Sequence, residues 1–134
     1  MAALDTNVLV RWLTDDDAAQ SKAAARLLSH AVAAGERLFV PSTVLLETEW
    51  VLRSRYRFDR LAVAEVVDGL LCAPELEMQD EPAVERALWL FRQEGVEDFA
   101  DCLHIGLSVH ASKGPLLTFD TAASKLDGAK LLRA

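Results

Sequence analysis

The chain has 134 residues, 51% of them hydrophobic, so it can bury one ordinary core and is expected to form a single domain over residues 1–134. No apolar run approaches the ~20 residues of a membrane-spanning helix, and the start of the chain shows no secretory signal. The net charge of −7 argues against a broadly basic surface for nucleic acid.

Short strands and amphipathic helices alternate along the chain. The strands are expected at residues 2–4, 37–40, 76–78, 116–119 and 130–132. The helices are expected at residues 7–13, 15–34, from 41–42 onward through Glu47, and at 61–72, 80–94, 99–112 and 121–126. Strands separated by helices pair in parallel, which predicts an α/β fold: a three-layer α/β/α sandwich with a mainly parallel central sheet.

Four acids stand where such a fold gathers ligands. Asp5 directly follows the first predicted strand, and Asp120 follows the strand at residues 116–119. Asp101 lies in the first turn of its predicted helix and Glu47 in the second turn of its own. Ligands bind at the carboxyl ends of parallel strands, where the N-termini of the neighbouring helices also lie. The sequence therefore predicts that the four acids converge on one edge of the sheet.

Glu47 and Glu49 share a helix but have different surroundings in sequence. Glu49 has Arg53 four residues later, which is typical of a surface ion pair with a structural role. The helical neighbours of Glu47 are mostly apolar and none is basic, which predicts a core-facing carboxylate that needs a compensating cation. The alternative is that Glu47 lies in water at the margin of the apolar stripe.

Each of the other acids also has a structural alternative. Asp98 is placed to cap the helix at 99–112, with Asp101 in a capping-box-like position three residues on. Asp120 is placed as a turn residue or as the N-cap of the helix at 121–126. Each signal is weak alone, and the expected convergence is what favours a common site.

Clustered carboxylates without histidine or cysteine are typical of sites for hard cations such as Mg²⁺ or Mn²⁺. Such an ion can lower the pKa of a bound water and neutralise phosphate oxygens, so a phosphodiester is the expected substrate. The cysteines, Cys72 and Cys102, match no metal-binding spacing, and a reducing cytoplasmic location is the simplest interpretation.

Four segments in this order resemble the successive motifs of PIN-domain nucleases, and within them the VapC-type toxins of type II toxin–antitoxin pairs. They are Asp-Thr-Asn-Val-Leu at residues 5–9, Leu-Leu-Glu-Thr-Glu at 45–49, Asp-Phe-Ala-Asp-Cys-Leu at 98–103 and Thr-Phe-Asp at 118–120. The resemblance extends from residue 4 to about residue 132.

The resemblance implies roles for particular residues. Asp5, Glu47, Asp101 and Asp120 would be catalytic metal ligands, directly or through water. Supporting positions are implied for Asn7, Thr118 and Asp98. It also implies endoribonuclease activity, a homodimer and a cognate antitoxin protein that blocks the site.

An arginine-rich stretch follows the helix of Glu47. Tyr56 and Phe58 are interleaved among its basic residues, which are Arg53, Arg55, Arg57 and Arg60. This pattern is consistent with contact to RNA or to a protein partner. A solvated helix end, where cations are favoured by the helix dipole, explains it equally well.

Two other classes of function remain open on the sequence. An aspartyl phosphotransferase of the haloacid-dehalogenase kind also places an aspartate after its first strand, but it needs a second acid two residues later, where this chain has Asn7. A receiver-like module, or a PIN fold that has lost its activity, would bind without chemistry. Retention of all four acids argues against that loss.

Overall fold

The computed structural model describes residues 2–134. They divide into two compact units, one that ends at Gln79 and one that begins at Asp80. The expectation of a single domain over residues 1–134 stays a prediction. In the described chain, no helix is both long and apolar enough to cross a membrane.

The first unit contains four helices and a parallel pair of strands. These elements are α1 (Thr6–Leu13), α2 (Ala18–Ala33), β1 (Leu38–Val40), α3 (Ser42–Ser54), α4 (Arg60–Cys72) and β2 (Leu76–Met78). In the pair, Leu38 lies opposite Leu76 and Val40 lies opposite Met78. These four side chains are buried, and together with the inner faces of the helices they form the core of this unit.

The strand predicted at residues 2–4 is shorter than expected. Only Ala3 forms a bridge, parallel to Phe39, with the Leu4 amide donating to the Phe39 carbonyl at 2.8 Å and the Phe39 amide to the Ala2 carbonyl at 2.9 Å. The small side chains of Ala2 and Ala3 provide little of the packing that stabilises longer strands. The bridge nevertheless fixes the segment that leads into Asp5.

Aspartates cap two helices of the first unit. Asp17 caps α2 by accepting a hydrogen bond from the Gln20 amide at 3.0 Å. Asp59 caps α4 by accepting one from the Ala62 amide at 2.8 Å. Each carboxylate satisfies an amide that the helix itself leaves unpaired.

The second unit contains two long helices, a short helix and another parallel pair of strands. They are α5 (Glu81–Phe91), α6 (Phe99–His110), β3 (Leu116–Thr118), α7 (Thr121–Ser124) and β4 (Ala129–Leu131). Leu116 lies opposite Ala129 and Thr118 lies opposite Leu131. Parallel strands that alternate with helices confirm the predicted α/β class.

Helices α5 and α6 pack closely against each other. The rings of Phe91 and Phe99 meet edge to face, with their centroids 5.4 Å apart. Gly106 of α6 lies so close to α5 that a Cβ atom there would be 2.3 Å from the carbonyl oxygen of Ala83. Because that neighbour is backbone, a rotamer change cannot relieve the clash, and this packing requires glycine.

Replacing Gly106 with alanine should therefore destabilise the protein, by about 1–3 kcal/mol in the free energy of unfolding, as overpacked cores do. Gly69 in α4 is the matched control, because a Cβ atom there meets nothing within 4 Å. Gly69→Ala should raise stability by about 0.5–1 kcal/mol through the higher helix propensity of alanine. Denaturant unfolding of both variants measures the difference, and equal effects would contradict the close approach.

Candidate active site

In the first unit, Asp5 and Glu47 are linked through Thr6. Asp5 is the N-cap of α1, and its Oδ1 accepts a hydrogen bond from the Thr6 amide at 2.8 Å. The Thr6 side chain, only 5% exposed, donates its hydroxyl to Oε1 of Glu47. In residues 2–134, no ion pair engages either carboxylate. Two acids from α1 and α3 are thus held by one threonine, with carboxylate oxygens left over.

The orientation of α3 differs from the predicted one. Glu47 was expected to face the core and is exposed, whereas Glu49 is only 4% exposed. The predicted ion pair between Glu49 and Arg53 is present, with Arg53 Nε donating to Glu49 Oε1 at 2.9 Å. The carboxylate of Glu49 is buried, however, and not on the surface. The apolar neighbours of Glu47 misled the prediction because Trp50 is 56% exposed. The face that α3 buries carries Leu45, Thr48, Glu49 and Leu52.

In the second unit, Asp98 and Asp120 cap helices, which the sequence offered as their structural alternative. Oδ1 of Asp98 accepts from the Ala100 amide at 2.9 Å at the start of α6. Oδ1 of Asp120 accepts from the Ala123 amide at 3.1 Å at the start of α7. Each cap uses one carboxylate oxygen, so capping fixes the side chain and leaves its second oxygen available to a ligand.

These caps border a cavity of about 230 Å³ in the second unit that is lined by acids. Four carboxylates contribute to its wall and no basic residue does; the acids are Glu97, Asp98, Asp101 and Asp120. Burial raises the pKa of Asp101, and the negative charges of Asp98 and Asp120 raise it further. The cavity therefore disfavours a further negative charge and would be stabilised by a cation.

The two polar residues predicted to support the acids behave differently. Thr118 Oγ1 accepts a hydrogen bond from the Asp120 amide at 3.0 Å, which fixes the backbone of that acid. Asn7 is exposed and lines a separate, mainly apolar cavity of about 310 Å³ beside α2. None of the hydrogen bonds in residues 2–134 joins Asn7 to an acid. Its supporting role stays a prediction.

The donor chemistry fits a hard divalent cation, because every candidate ligand is a carboxylate. Residues 2–134 contain no group of three or more His, Cys, Asp or Glu side chains placed closely enough to hold a metal ion. The metal-binding roles of Asp5, Glu47, Asp101 and Asp120 therefore stay predictions.

Thr6 is the contributor that the sequence interpretation missed. It was recognised within the segment at residues 5–9 but was given no role. The position of a threonine directly after a strand-ending aspartate does not indicate that its hydroxyl is buried. Its hydrogen-bond partner Glu47 is 41 residues away in the chain. Only the packing of α1 against α3 reveals the contact.

Comparison with known proteins decides the family. The model of the PIN domain family matches residues 2–129, which is nearly the whole chain. The chain belongs to the PIN-domain family. It is also 30% identical over 114 residues to a VapC ribonuclease of Aquifex aeolicus (strain VF5), an alignment that covers 84% of this chain and 80% of that protein. This PIN domain is thus a relative of the VapC-type toxins, as the segment order predicted.

The raised pKa of Asp101 gives a prediction about stability. A folded-state pKa above the ordinary value of 3.8 means that ionised Asp101 costs stability above the raised pKa and costs nothing well below 3.8. Asp101→Asn, without added metal, should therefore melt higher than the wild-type PIN domain at neutral pH. The gain should be about 0.5 kcal/mol, or roughly 1–4 °C.

The same comparison well below pH 3.8 supplies the control, because Asp101 is then protonated in both the folded and the unfolded state. The two melting temperatures should converge there. If Asp101 stabilised α6 through its charge in the first helical turn, the variant would instead melt lower at neutral pH.

Proposed function

We propose that this PIN domain is a Mg²⁺- or Mn²⁺-dependent endoribonuclease that acts in the cytoplasm as the toxin of a toxin–antitoxin pair. The observation that carries the proposal is the acid-lined cavity, in which burial and then the charges of Asp98 and Asp120 raise the pKa of Asp101. Support also comes from the match to the PIN family and from the relative that is a VapC ribonuclease.

The proposed metal ligands are Asp5, Glu47, Asp101 and Asp120, directly or through water. A divalent cation bound by such carboxylates would supply a more acidic water and neutralise phosphate oxygens. Mg²⁺ binds through a few carboxylates while keeping several waters, so incomplete protein coordination suits it.

The residues around these ligands hold them in place. Thr6 fixes one oxygen of Glu47, and the amide of Thr6 fixes one oxygen of Asp5. Thr118 holds the backbone of Asp120, while α7 holds its side chain. Partners that orient metal ligands commonly change metal affinity or activity by about 10–100-fold when they are removed. Asp98 adds negative charge beside Asp101 and would strengthen the attraction for a cation.

The proposed partners are RNA as substrate, a small antitoxin protein and a second copy of this chain. Large apolar side chains on the surface are consistent with a protein partner, because aromatic side chains such as tryptophan are enriched at interfaces. On α3 and α4 of the first unit these are Trp50, 56% exposed, and Leu61, 71% exposed.

The purified protein should cleave RNA in the presence of Mg²⁺ or Mn²⁺ and lose that activity in EDTA. Attack by a metal-activated water leaves a 5′-phosphate and a 3′-hydroxyl, which end-labelling and phosphatase sensitivity can identify. Cleavage that continues undiminished in chelator, or cyclic phosphate ends, would contradict the mechanism.

Phosphate trapped covalently on Asp5 would favour the phosphotransferase, and absence of any chemistry would favour a binding module.

Glu47→Gln and Glu49→Gln form a matched pair for the same assay, because they make the same chemical change two positions apart on α3. Glu47→Gln should lower the cleavage rate at least about tenfold with little change in melting temperature. Glu49→Gln should retain activity and lose about 1 kcal/mol of stability, a modest cost because its partner Arg53 is 52% exposed and can be solvated. Activity lost only with Glu49→Gln would show that the wrong acid has been assigned.

A further inference from the structure

The arginine-rich stretch after α3 separates into two kinds of side chain. Arg53 forms the ion pair with buried Glu49, and Arg60 is the first residue of α4 and is partly buried. Arg55 and Arg57 are exposed, and no ion pair in residues 2–134 includes either of them. We call residues 55–58, which contain these two arginines, the arginine loop.

Tyr56 anchors the arginine loop to the junction between α1 and α2. Its hydroxyl donates to Oδ2 of Asp16 at 2.5 Å and accepts from Nη1 of Arg11 at 3.2 Å. Arg11 in turn forms an ion pair with Asp16 at 3.0 Å. At the other end of the loop, the Phe58 amide donates to the Leu52 carbonyl at 3.0 Å. Arg55 and Arg57 therefore project from a loop whose shape is fixed on both sides.

Arg57 has a left-handed backbone conformation, with φ of 58°. Glycine adopts this conformation readily, whereas a residue with a side chain is strained there. A basic side chain at such a position is costly to the fold, and no ion pair within residues 2–134 offsets the cost. The strain is consistent with a role for the arginine side chain outside the fold itself.

The arginine loop lies at the end of the helix that carries Glu47. Arg55 follows Glu47 by eight residues, which corresponds to about 12 Å along a helix axis at the usual rise per residue. A strand of RNA whose scissile phosphate lay near Glu47 would extend over such a distance. The guanidinium group also suits phosphate, since it can donate two hydrogen bonds to one phosphate group.

We propose that Arg55 and Arg57 bind phosphates of the RNA substrate at a distance from the cleaved bond. The inference rests on the proposed ribonuclease function. Within the loop an RNA backbone fits better than a protein, because the exposed apolar side chains of α3 and α4, Trp50 and Leu61, lie outside residues 55–58. The aromatic residues of the loop, Tyr56 and Phe58, are half-buried and do not provide exposed apolar anchors. Phosphate binding needs only the exposed charges.

The test measures how the binding of single-stranded RNA depends on salt. Full-length protein that carries Asp5→Asn, in EDTA, is titrated into short fluorescent RNA at several salt concentrations, so that binding is seen without cleavage. Each lost phosphate contact reduces the slope of log K against log[salt] by about 0.7 for single strands. Adding Arg55→Gln and Arg57→Gln together should weaken binding at low salt and reduce the slope by about 1.4.

Lys22→Gln with Arg26→Gln is the matched control, because both residues are exposed on α2 of the same unit and the net charge changes equally. This control should leave the slope nearly unchanged. Arg57→Gly adds a variant that relieves backbone strain, so it should melt at or above the wild-type temperature. Its slope of log K against log[salt] should fall by about 0.7, which is half the reduction expected for the double variant. That combination separates loss of binding from loss of folding.

An unchanged slope in the arginine double variant, or an equal change in the control, would overturn the proposal. The proposal would also be overturned if the arginine double variant bound RNA as before but no longer bound a purified antitoxin. That result would show that the loop binds a protein. The outcome is distinguishable from failure of the proposed function, because the wild-type cleavage assay tests that function without reference to these arginines.

Discussion

Burial and crowding of carboxylates together form the constraint on which the acid-lined cavity depends. In the cavity beside α6 and α7, burial raises the pKa of Asp101, and the negative charges of Asp98 and Asp120 raise it further. The fold offsets part of this cost by placing two of these acids at helix N-termini, where unpaired amides and the helix dipole stabilise negative charge. Each helix cap therefore fixes the side chain of an acid that borders the cavity.

The same device operates in the first unit, where Asp5 caps α1. There a second kind of contact is added, because side chains of α1 bond to α3 and to the loop that follows it. Thr6, the first residue of α1, bonds to Glu47 in the second turn of α3, and Arg11 bonds to Tyr56 beyond the end of α3. The position of Glu47 relative to Asp5 thus depends on how α1 packs against α3. The position of the arginine loop depends on the same two helices.

Sequence reasoning succeeded where the signal is local. The position of Asp98 offered it as the cap of the next helix, and it caps α6, because an N-cap involves only the next few residues. The alternation of strands and helices likewise predicted the parallel α/β class. The bounds were less accurate: α5 ends at Phe91, three residues before the end expected at residue 94.

The rest depended on contacts that are distant in sequence. The buried face of α3 could not be identified from apolar spacing, because Trp50 faces solvent while the polar Thr48 and Glu49 face inward. An ion pair with Arg53 makes the burial of Glu49 tolerable. Nothing in the neighbouring residues reveals either the Thr6–Glu47 bond or the anchoring of Tyr56 on Asp16, which span 41 and 40 residues.

The central claim is the proposed role of Asp5 and of Asp101 in binding a divalent cation, and Mn²⁺ binding followed by electron paramagnetic resonance tests it most directly. Wild-type protein is compared with Asp5→Asn from the first unit and Asp101→Asn from the second. Asp15→Asn is the control, since Asp15 is exposed and forms no ion pair in residues 2–134. The account predicts that each site variant weakens Mn²⁺ binding at least about tenfold, while the control binds as the wild type does. Wild-type affinity in either site variant would contradict it.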